Sequence, residues 1–133
     1  MANKYTPVHE PSRAKAKELC KGLRTLQERY EVITKYISDQ FVYDYVRAIT
    51  IPKKNGLPNV SRCWDKRMGI CLDISSLTVN MLRAVSVPCN LVIGWAGGHY
   101  HAWVEARMNG KRYLYDHDDP QGKVKVYKKE RMY

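Results

Sequence analysis

The dipeptide Asn109-Gly110, which separates two stretches with strand character, is the feature that most constrains how this chain folds. Asn-Gly is typical of a two-residue type I′ turn, in which both residues adopt positive φ angles. Apolar and polar side chains alternate through residues 99–108, and residues 111–116 have the composition of a returning strand. The sequence therefore predicts an antiparallel hairpin in which Met108 pairs with Lys111.

Further strands are predicted on both sides of this hairpin. Residues 90–96 are apolar at successive positions, which predicts a central strand covered on both faces, and Gly97-Gly98 then turns the chain. Phe41 to Val46 is rich in aromatic and β-branched residues, and Lys123 to Lys128 is a further candidate strand. We therefore expect an antiparallel sheet of four or five strands.

Two helices are predicted to pack on this sheet, which makes the fold class α+β. A stripe of apolar residues at three- and four-residue steps predicts one helix from Arg13 to about Ser38, with Ser12 as N-cap and Gly22 as a weak point. A second helix is predicted from Cys71 to about Val85, because Pro88 cannot continue it. Residues 1–10 are expected to be a flexible lead-in, 11–133 a single domain, and 52–58 a loop.

Length and charge narrow the class of protein. A chain of 133 residues supports one domain, and it has no run of about 20 apolar residues that would predict a membrane span. The N-terminal residues do not resemble a signal peptide, so both a cytoplasmic protein and the mature core of a secreted one fit. The net charge of +10 indicates either an acidic partner or a solvated basic surface. No basic-aromatic motif of the RNA-binding kind is present, so we expect no nucleic-acid partner.

Cys71 is a candidate nucleophile. It begins the predicted second helix, where the helix dipole and free N–H groups favour a thiolate. The other cysteines are Cys20, Cys63 and Cys89, and none of the four forms a C-x-x-C pair, which argues against a zinc ribbon or a thioredoxin motif. A thiol nucleophile requires a base, and the base requires a carboxylate that orients it.

His101 is the candidate base, and two aspartates compete to orient it. If the hairpin register extends along both strands, the numbers of paired residues sum to 219, so that His101 faces Asp118 directly and Asp116 diagonally. Both carboxylates then lie on the face of the sheet that carries His101. The register alone leaves both assignments open.

These residues together resemble the transglutaminase-like superfamily, a branch of the papain-like cysteine enzymes. The resemblance extends from about Tyr30 to Asp116 and is strongest at Gly69-Ile70-Cys71-Leu72-Asp73 and at His101-Ala102-Trp103-Val104-Glu105. It implies that Cys71 is the nucleophile, His101 the base and Asp116 the orienting residue. The family often has a tryptophan before this aspartate and Asp-Pro-Thr at it, whereas this chain has Arg112-Tyr113 and His117-Asp118, so Asp118 remains the alternative.

The resemblance also implies a function. We expect a cysteine-dependent acyl-transfer enzyme that forms a thioester with the acyl group of a protein or peptide amide and passes this group to water or an amine. The basic net charge would favour an acidic substrate. Bacterial members of the family are often described as putative proteases. We expect no cofactor, no bound metal and no dependence on calcium; the oligomeric state is unknown. Besides the Cys71 N–H, the second donor to the oxyanion is open among Gln40, Tyr43 and Trp64.

Other functions remain open. His99 and His101, on one strand face, are spaced to bind zinc together with Cys71 or Asp116. A catalytically inactive binding or scaffolding domain of the same fold and a basic nucleic-acid-binding module are further alternatives. Asp73, in the first turn of the second helix, is expected to stabilise the helix dipole rather than to take part in chemistry.

Overall fold

The computed structural model describes residues 3–51 and 56–133 of the chain. The helices in this part are α1 (Glu10–Leu19), α2 (Leu26–Gln40), α3 (Tyr45–Thr50), α4 (Val60–Lys66) and α5 (Cys71–Ala84). The strands are β1 (Val42–Tyr43), β2 (Met68–Gly69), β3 (Cys89–Ala96), β4 (His99–Met108), β5 (Lys111–Tyr115) and β6 (Tyr127–Met132).

Helix α5 is the centre of the fold. Within the described residues, the main sheet has four strands in the order β5-β4-β3-β6, with antiparallel neighbours throughout. Helix α5 packs on β3 and β4, and α1, α2 and α4 pack against α5. The predicted α+β architecture, in which the helix that carries Cys71 packs on an antiparallel sheet, is therefore confirmed. The central position predicted for residues 90–96 is confirmed as well.

The apolar core lies between α5 and one face of the sheet. Leu77 and Leu82 of α5 are fully buried there, together with Leu91 and Val104 of the sheet. Burial of side chains of this size stabilises the fold by about 1.5–3 kcal/mol each, before the entropy cost of ordering them. Trp103 points to the opposite face of the sheet, where it is also fully buried.

The hairpin predicted from Asn109-Gly110 is confirmed. Met108 pairs with Lys111, and the two turn residues have φ angles of 54° and 72°. Pairing with the predicted register continues to Val104 and Tyr115, where β5 ends.

The prediction of one long N-terminal helix is wrong, since the chain forms α1 and α2 instead. Gly22 adopts a φ of +85° in the connection, a conformation that glycine tolerates readily. Thr25 then caps α2, accepting a hydrogen bond from the Glu28 N–H, while the Glu28 carboxylate accepts one from the Thr25 N–H. The N-cap of α1 is His9 rather than Ser12.

The predicted strand from Phe41 to Val46 is confined to β1, which pairs in parallel with β2. Asp44 ends it, because its side chain accepts a hydrogen bond from the Arg47 N–H and so caps α3. The cap overrides the strand propensity of Tyr45 and Val46. Before Gly69 the chain forms helix α4, which Arg67 ends in a left-handed conformation.

The final strand lies further along the chain than predicted, at Tyr127–Met132 rather than at Lys123–Lys128. The Asp119 carboxylate accepts hydrogen bonds from the N–H groups of Lys123 and Val124, which a strand would have paired. Strand β6 approaches β3 closely at Gly94, where an added Cβ would lie 2.1 Å from the Lys128 carbonyl oxygen.

The segment before α1 packs against the rest of the protein. Tyr5 is 5% exposed, and the Asn80 side chain of α5 bonds to the His9 N–H and the Pro7 carbonyl. The domain boundary at residue 11 stays a prediction. Of the predicted 52–58 loop, residues 52–55 lie outside the described part. No helix among the described residues combines the length and apolar character needed to cross a membrane.

Candidate active site

Cys71 is the first residue of α5 and follows the N-cap Ile70 directly. Backbone N–H groups in the first turn of a helix have no partner within the helix, and they give this end a partial positive charge. The Cys71 side chain is partly exposed and lines a cleft of about 640 Å³. The helix end therefore places the thiol beside a partial positive charge, at a position that a ligand in the cleft can reach.

Gly69 is required by the close packing in front of α5. A Cβ at this position would lie 2.8 Å from the Asp73 Cβ and 2.9 Å from the Cys63 Sγ. Real Cβ atoms do not approach this closely, so a larger residue would displace the start of the helix. The spacing of Gly69, Cys71 and Asp73 thus has a steric cause.

Asp73 holds the start of α5 from inside. Its carboxylate accepts hydrogen bonds from the Ile70 N–H at 3.0 Å and the Asn59 N–H at 2.8 Å. Arg47 of α3 forms a bidentate ion pair with it, at 2.7 and 2.9 Å. Asp73 is buried, and these contacts fit the structural role expected from the sequence, whereas no sequence pattern indicated Arg47 as its partner.

His101 lies near the start of β4, between the thiol and a carboxylate. Its Nε2 is 2.8 Å from Asp116 Oδ2, and its imidazole stacks on Trp103. The Cys71 Sγ lies within 4.8 Å of an imidazole nitrogen. Burial alone lowers the pKa of His101, but its interactions with Asp116 and Cys71 outweigh burial and raise the pKa to about 10. The imidazole therefore holds its proton to a higher pH than an isolated histidine does.

Asp116 is held at the turn after β5. Besides His101, Tyr127 donates a hydrogen bond to Oδ2 at 3.0 Å, and the Asp118 N–H donates one to Oδ1 at 3.0 Å. Burial, together with the charges of Asp116 and Asp119, raises the pKa of Tyr127, so its hydroxyl keeps the proton that it donates. Asp116 is buried, with 6% of its surface exposed.

The structure thus brings Asp116, not Asp118, into hydrogen-bond contact with His101. The extrapolated register placed Asp118 directly opposite His101, but β5 ends at Tyr115 and the chain then turns, with a hydrogen bond from the Asp119 N–H to the Asp116 carbonyl. Because the ladder ends at this point, pairing by number no longer applies.

Asp118 lies on another side of the site. Among the described residues, its carboxylate, the Cys71 Sγ and a His101 nitrogen lie within 4.8 Å of one another. This group includes neither His99 nor Asp116, which the sequence had offered as zinc ligands. His99 instead lines the cleft. His117 lies 3.4 Å from Asp118 Oδ1 through its Nδ1 and 2.8 Å from the Phe41 carbonyl through its Nε2.

Of the three side chains considered as a second oxyanion donor, Tyr43 lines the cleft that holds Cys71. Burial followed by the charge of Cys71 raises the pKa of Tyr43 to about 12, so its O–H remains a donor. Gln40 is exposed at the end of α2. Trp64 packs against Tyr36, Phe41 and the Arg67 guanidinium.

The cleft is lined by residues that sequence reasoning did not select. Trp95, Tyr100 and Arg131 lie along it. Glu130 accepts hydrogen bonds from the side chains of Trp95 and Tyr100, and Arg131 donates one to the Tyr100 hydroxyl. These residues, like Tyr127, come from β3, β4 and β6 and carry no local motif, so their proximity follows from the sheet alone.

The amino-acid sequence of this chain was compared with models of known protein families. A family model of the transglutaminase-like superfamily matches residues 13–116. No curated protein matches the chain.

Solved structures share the fold at low sequence identity. A putative cysteine protease from Cytophaga hutchinsonii has a TM-score of 0.68 at 20% identity, over 88% of this chain and 39% of that one. A putative protease from Parabacteroides distasonis ATCC 8503 has a TM-score of 0.68 at 18% identity, over 85% and 24%. A TGase has a TM-score of 0.63 at 14% identity, over 92% and 32%. The chain thus spans between about a quarter and two-fifths of the length of these proteins.

Proposed function

Because this chain belongs to the transglutaminase-like superfamily, we propose that it is a cysteine-dependent acyl-transfer enzyme that acts on protein or peptide amides. The observation that carries the proposal is the alignment of Cys71, His101 and Asp116. A thiol at a helix N-terminus faces an imidazole whose far nitrogen is hydrogen-bonded to a buried carboxylate. This arrangement supplies a nucleophile, a proton carrier and a group that orients the carrier.

In the proposed reaction, the Cys71 thiolate attacks the amide carbonyl carbon and forms a C–S bond. The tetrahedral intermediate collapses when the C–N bond breaks, and the His101 imidazolium gives its proton to the departing nitrogen. Ammonia or an amine leaves, and a thioester remains on Cys71. His101 then takes a proton from water or an acceptor amine, which attacks the thioester and restores the thiolate.

The oxyanion of the intermediate requires preorganised donors. We assign the Cys71 backbone N–H as one donor, because it lies in the first turn of α5. Tyr43 is the proposed second donor, since it lines the cleft beside Cys71 and keeps its proton. Loss of a single such donor lowers kcat by roughly 100- to 1,000-fold in well-studied hydrolases.

The surroundings of the cleft support a peptide or protein substrate. Its wall combines the aromatic rings of Trp95 and Tyr100 with the positive charge of Arg131. Helix α3, which contributes Ala48 to the wall, exposes Val46 and Ile49 to solvent at 72% and 85%. An extended apolar surface of this kind fits a polypeptide better than it fits a small polar molecule, and Arg131 favours acidic side chains in that polypeptide.

The first experiment measures thiol reactivity. We expect iodoacetamide to alkylate Cys71 at neutral pH at least about ten times faster than Cys20, Cys63 and Cys89, because only a thiolate reacts. Burial raises the pKa of Cys63 to about 12 and that of Cys89 to about 11, so these two thiols serve as internal controls. Peptide mass spectrometry reads each site separately. The advantage of Cys71 should disappear in His101→Ala.

The second experiment measures acyl transfer. Glutamine-containing peptides with acidic neighbours are incubated with the protein, with and without a fluorescent primary amine, and both ammonia release and amine incorporation are followed. Cys71→Ser is the inactive reference, and Tyr43→Phe tests the proposed oxyanion donor. If Cys71 reacts like the buried thiols in both the native protein and His101→Ala, the proposal is wrong and a binding domain of the same fold is the better description.

A further inference from the structure

We propose that Cys71, His101 and Asp118 form a Zn²⁺ site, and that zinc in this site reversibly blocks the thiol. The proposal departs from our sequence-based expectation that the protein binds no metal. Binding itself does not require the reaction proposed above; the blocking of catalysis rests on it.

The ligand atoms of these residues converge. The Cys71 Sγ, a His101 ring nitrogen and an Asp118 carboxylate oxygen lie within 4.8 Å of one another. In a tetrahedral zinc site with bonds of about 2.0–2.3 Å, ligand atoms are roughly 3.5 Å apart, so closure requires the ligand atoms to approach each other by at most about 1.3 Å. The Asp118 side chain is 26% exposed and lies near the start of the connection between β5 and β6, so a change of its side-chain rotamer supplies this movement.

The groups behind the ligands match those of metal sites. Histidine ligands usually donate their second ring nitrogen to a carboxylate, which fixes the ring and makes the other nitrogen a better donor. His101 Nε2 has this contact with Asp116 at 2.8 Å, so Nδ1 is the nitrogen that binds a metal, and it releases its proton when zinc binds. Asp118 is supported on its other side by His117, at 3.4 Å. His101 and Asp118 thus each have a second residue in contact with them, Asp116 and His117 respectively, without any metal bound.

The donor set selects the metal. A thiolate and an imidazole prefer Zn²⁺ to Mg²⁺ or Ca²⁺, which bind oxygen ligands. Three protein ligands leave the fourth tetrahedral position to water from the cleft. In the bound state both the sulfur lone pair and the His101 nitrogen are engaged by zinc, so neither attack on a carbonyl nor proton transfer is available.

The test titrates Zn²⁺ alone into the tag-free protein against a chromophoric chelator. We expect one equivalent to bind, Cys71→Ala to lose binding, and Asp118→Asn to bind about ten-fold more weakly or worse. Asp39→Asn is the matched control, because Asp39 is an exposed aspartate of α2 that pairs with Lys35 and is not one of the three converging ligands. Millimolar Mg²⁺ and Ca²⁺ should not compete. Circular dichroism verifies that each variant is folded.

A second readout follows Cys71 itself. Zn²⁺ should slow iodoacetamide alkylation of Cys71 in the native protein at least about ten-fold, and a chelator should restore the rate. For Asp118→Asn, protection is compared with that variant's own zinc-free rate and should need about ten-fold more Zn²⁺. Absence of zinc binding, binding that survives Cys71→Ala, or equal affinity in Asp118→Asn would each overturn the site. None of these outcomes alters the zinc-free reactivity of Cys71, so the proposed function is judged separately.

Discussion

Asp116 accepts hydrogen bonds from groups that are distant from each other in the sequence. His101 donates from β4 and Tyr127 from β6, while the Asp118 N–H donates from the turn itself. A buried carboxylate keeps its charge when such donors compensate for lost water. Tyr127 is therefore a positioning residue in our model of the site, since it touches Asp116 and not the thiol.

We predict that Tyr127→Phe lowers the rate of Cys71 alkylation at neutral pH several-fold, because Asp116 loses a donor and orients His101 less well. The phenylalanine ring at position 127 keeps the edge contact that Tyr127 makes with Trp103. The variant should therefore lose about 1 kcal/mol of stability, from the missing hydrogen bond alone. Alkylation kinetics and urea unfolding measure the two effects.

The matched control is Tyr115→Phe. Tyr115 donates to the Thr34 carbonyl and contacts the Ser38 hydroxyl, both on α2, whereas the Tyr127 hydroxyl bonds to Asp116. This variant should lose similar stability without a change in the alkylation rate. Equal rates in Tyr127→Phe and the native protein would remove Tyr127 from the site.

At the scale of elements, short helices arrange the start of α5. Helix α3 contributes Arg47 to the buried Asp73, and the N-cap of α4, Asn59, donates its N–H to the same carboxylate. Asp44 at the start of α3 pairs in turn with Arg62 of α4. Cys71 is thus positioned by a polar network that spans three helices, rather than by its own helix alone.

We predict that Arg47→Met destabilises the protein by about 3–5 kcal/mol, because it leaves the Asp73 carboxylate buried with an unpaired charge. Urea unfolding followed by circular dichroism measures the change. Cys71 alkylation should slow as well, since the start of α5 loses its support.

Lys35→Met is the control for Arg47→Met. It breaks the ion pair between Lys35 and Asp39, whose side chains are 77% and 52% exposed. The free energy of unfolding should therefore fall by less than about 1 kcal/mol. If the two variants lost equal stability, the buried pair would not hold the helix start in the way described.

On the scale of the whole molecule, the His101 charge couples the site to folding. Burial lowers the pKa of His101, but the hydrogen bonds and charges of Asp116 and Cys71 outweigh this effect. The pKa is therefore raised from 6.5 to about 10 in the folded protein. The folded state therefore binds the proton more tightly than the unfolded state. The resulting stabilisation is fully present below pH 6.5 and is lost as the pH rises through about 10.

We predict that the melting temperature of the native protein exceeds that of His101→Gln by the largest margin near pH 6. The margin should shrink steadily up to pH 10, because the proton that stabilises the native fold is released over this range. Scanning calorimetry at half-unit steps of pH measures both proteins. A constant margin would show that His101 is not charged in the folded state.

Local patterns in the sequence were sufficient for much of the fold. Alternation and the Asn109-Gly110 turn determined the hairpin and its register, and the apolar spacing before Pro88 determined α5. Such signals are local because turn geometry and helix periodicity depend on neighbouring residues. The motifs around Cys71 and His101 likewise identified the family before any contact was known.

The tertiary structure decided what depends on where elements end and on what they meet. The break at Gly22 was visible only as a weak point, because the apolar stripe continues on both sides of it. The choice between Asp116 and Asp118 depended on the end of β5, which the register could not supply. Tyr127 and Arg47 reach the site across more than ten residues of chain, through side-chain contacts that no local pattern encodes.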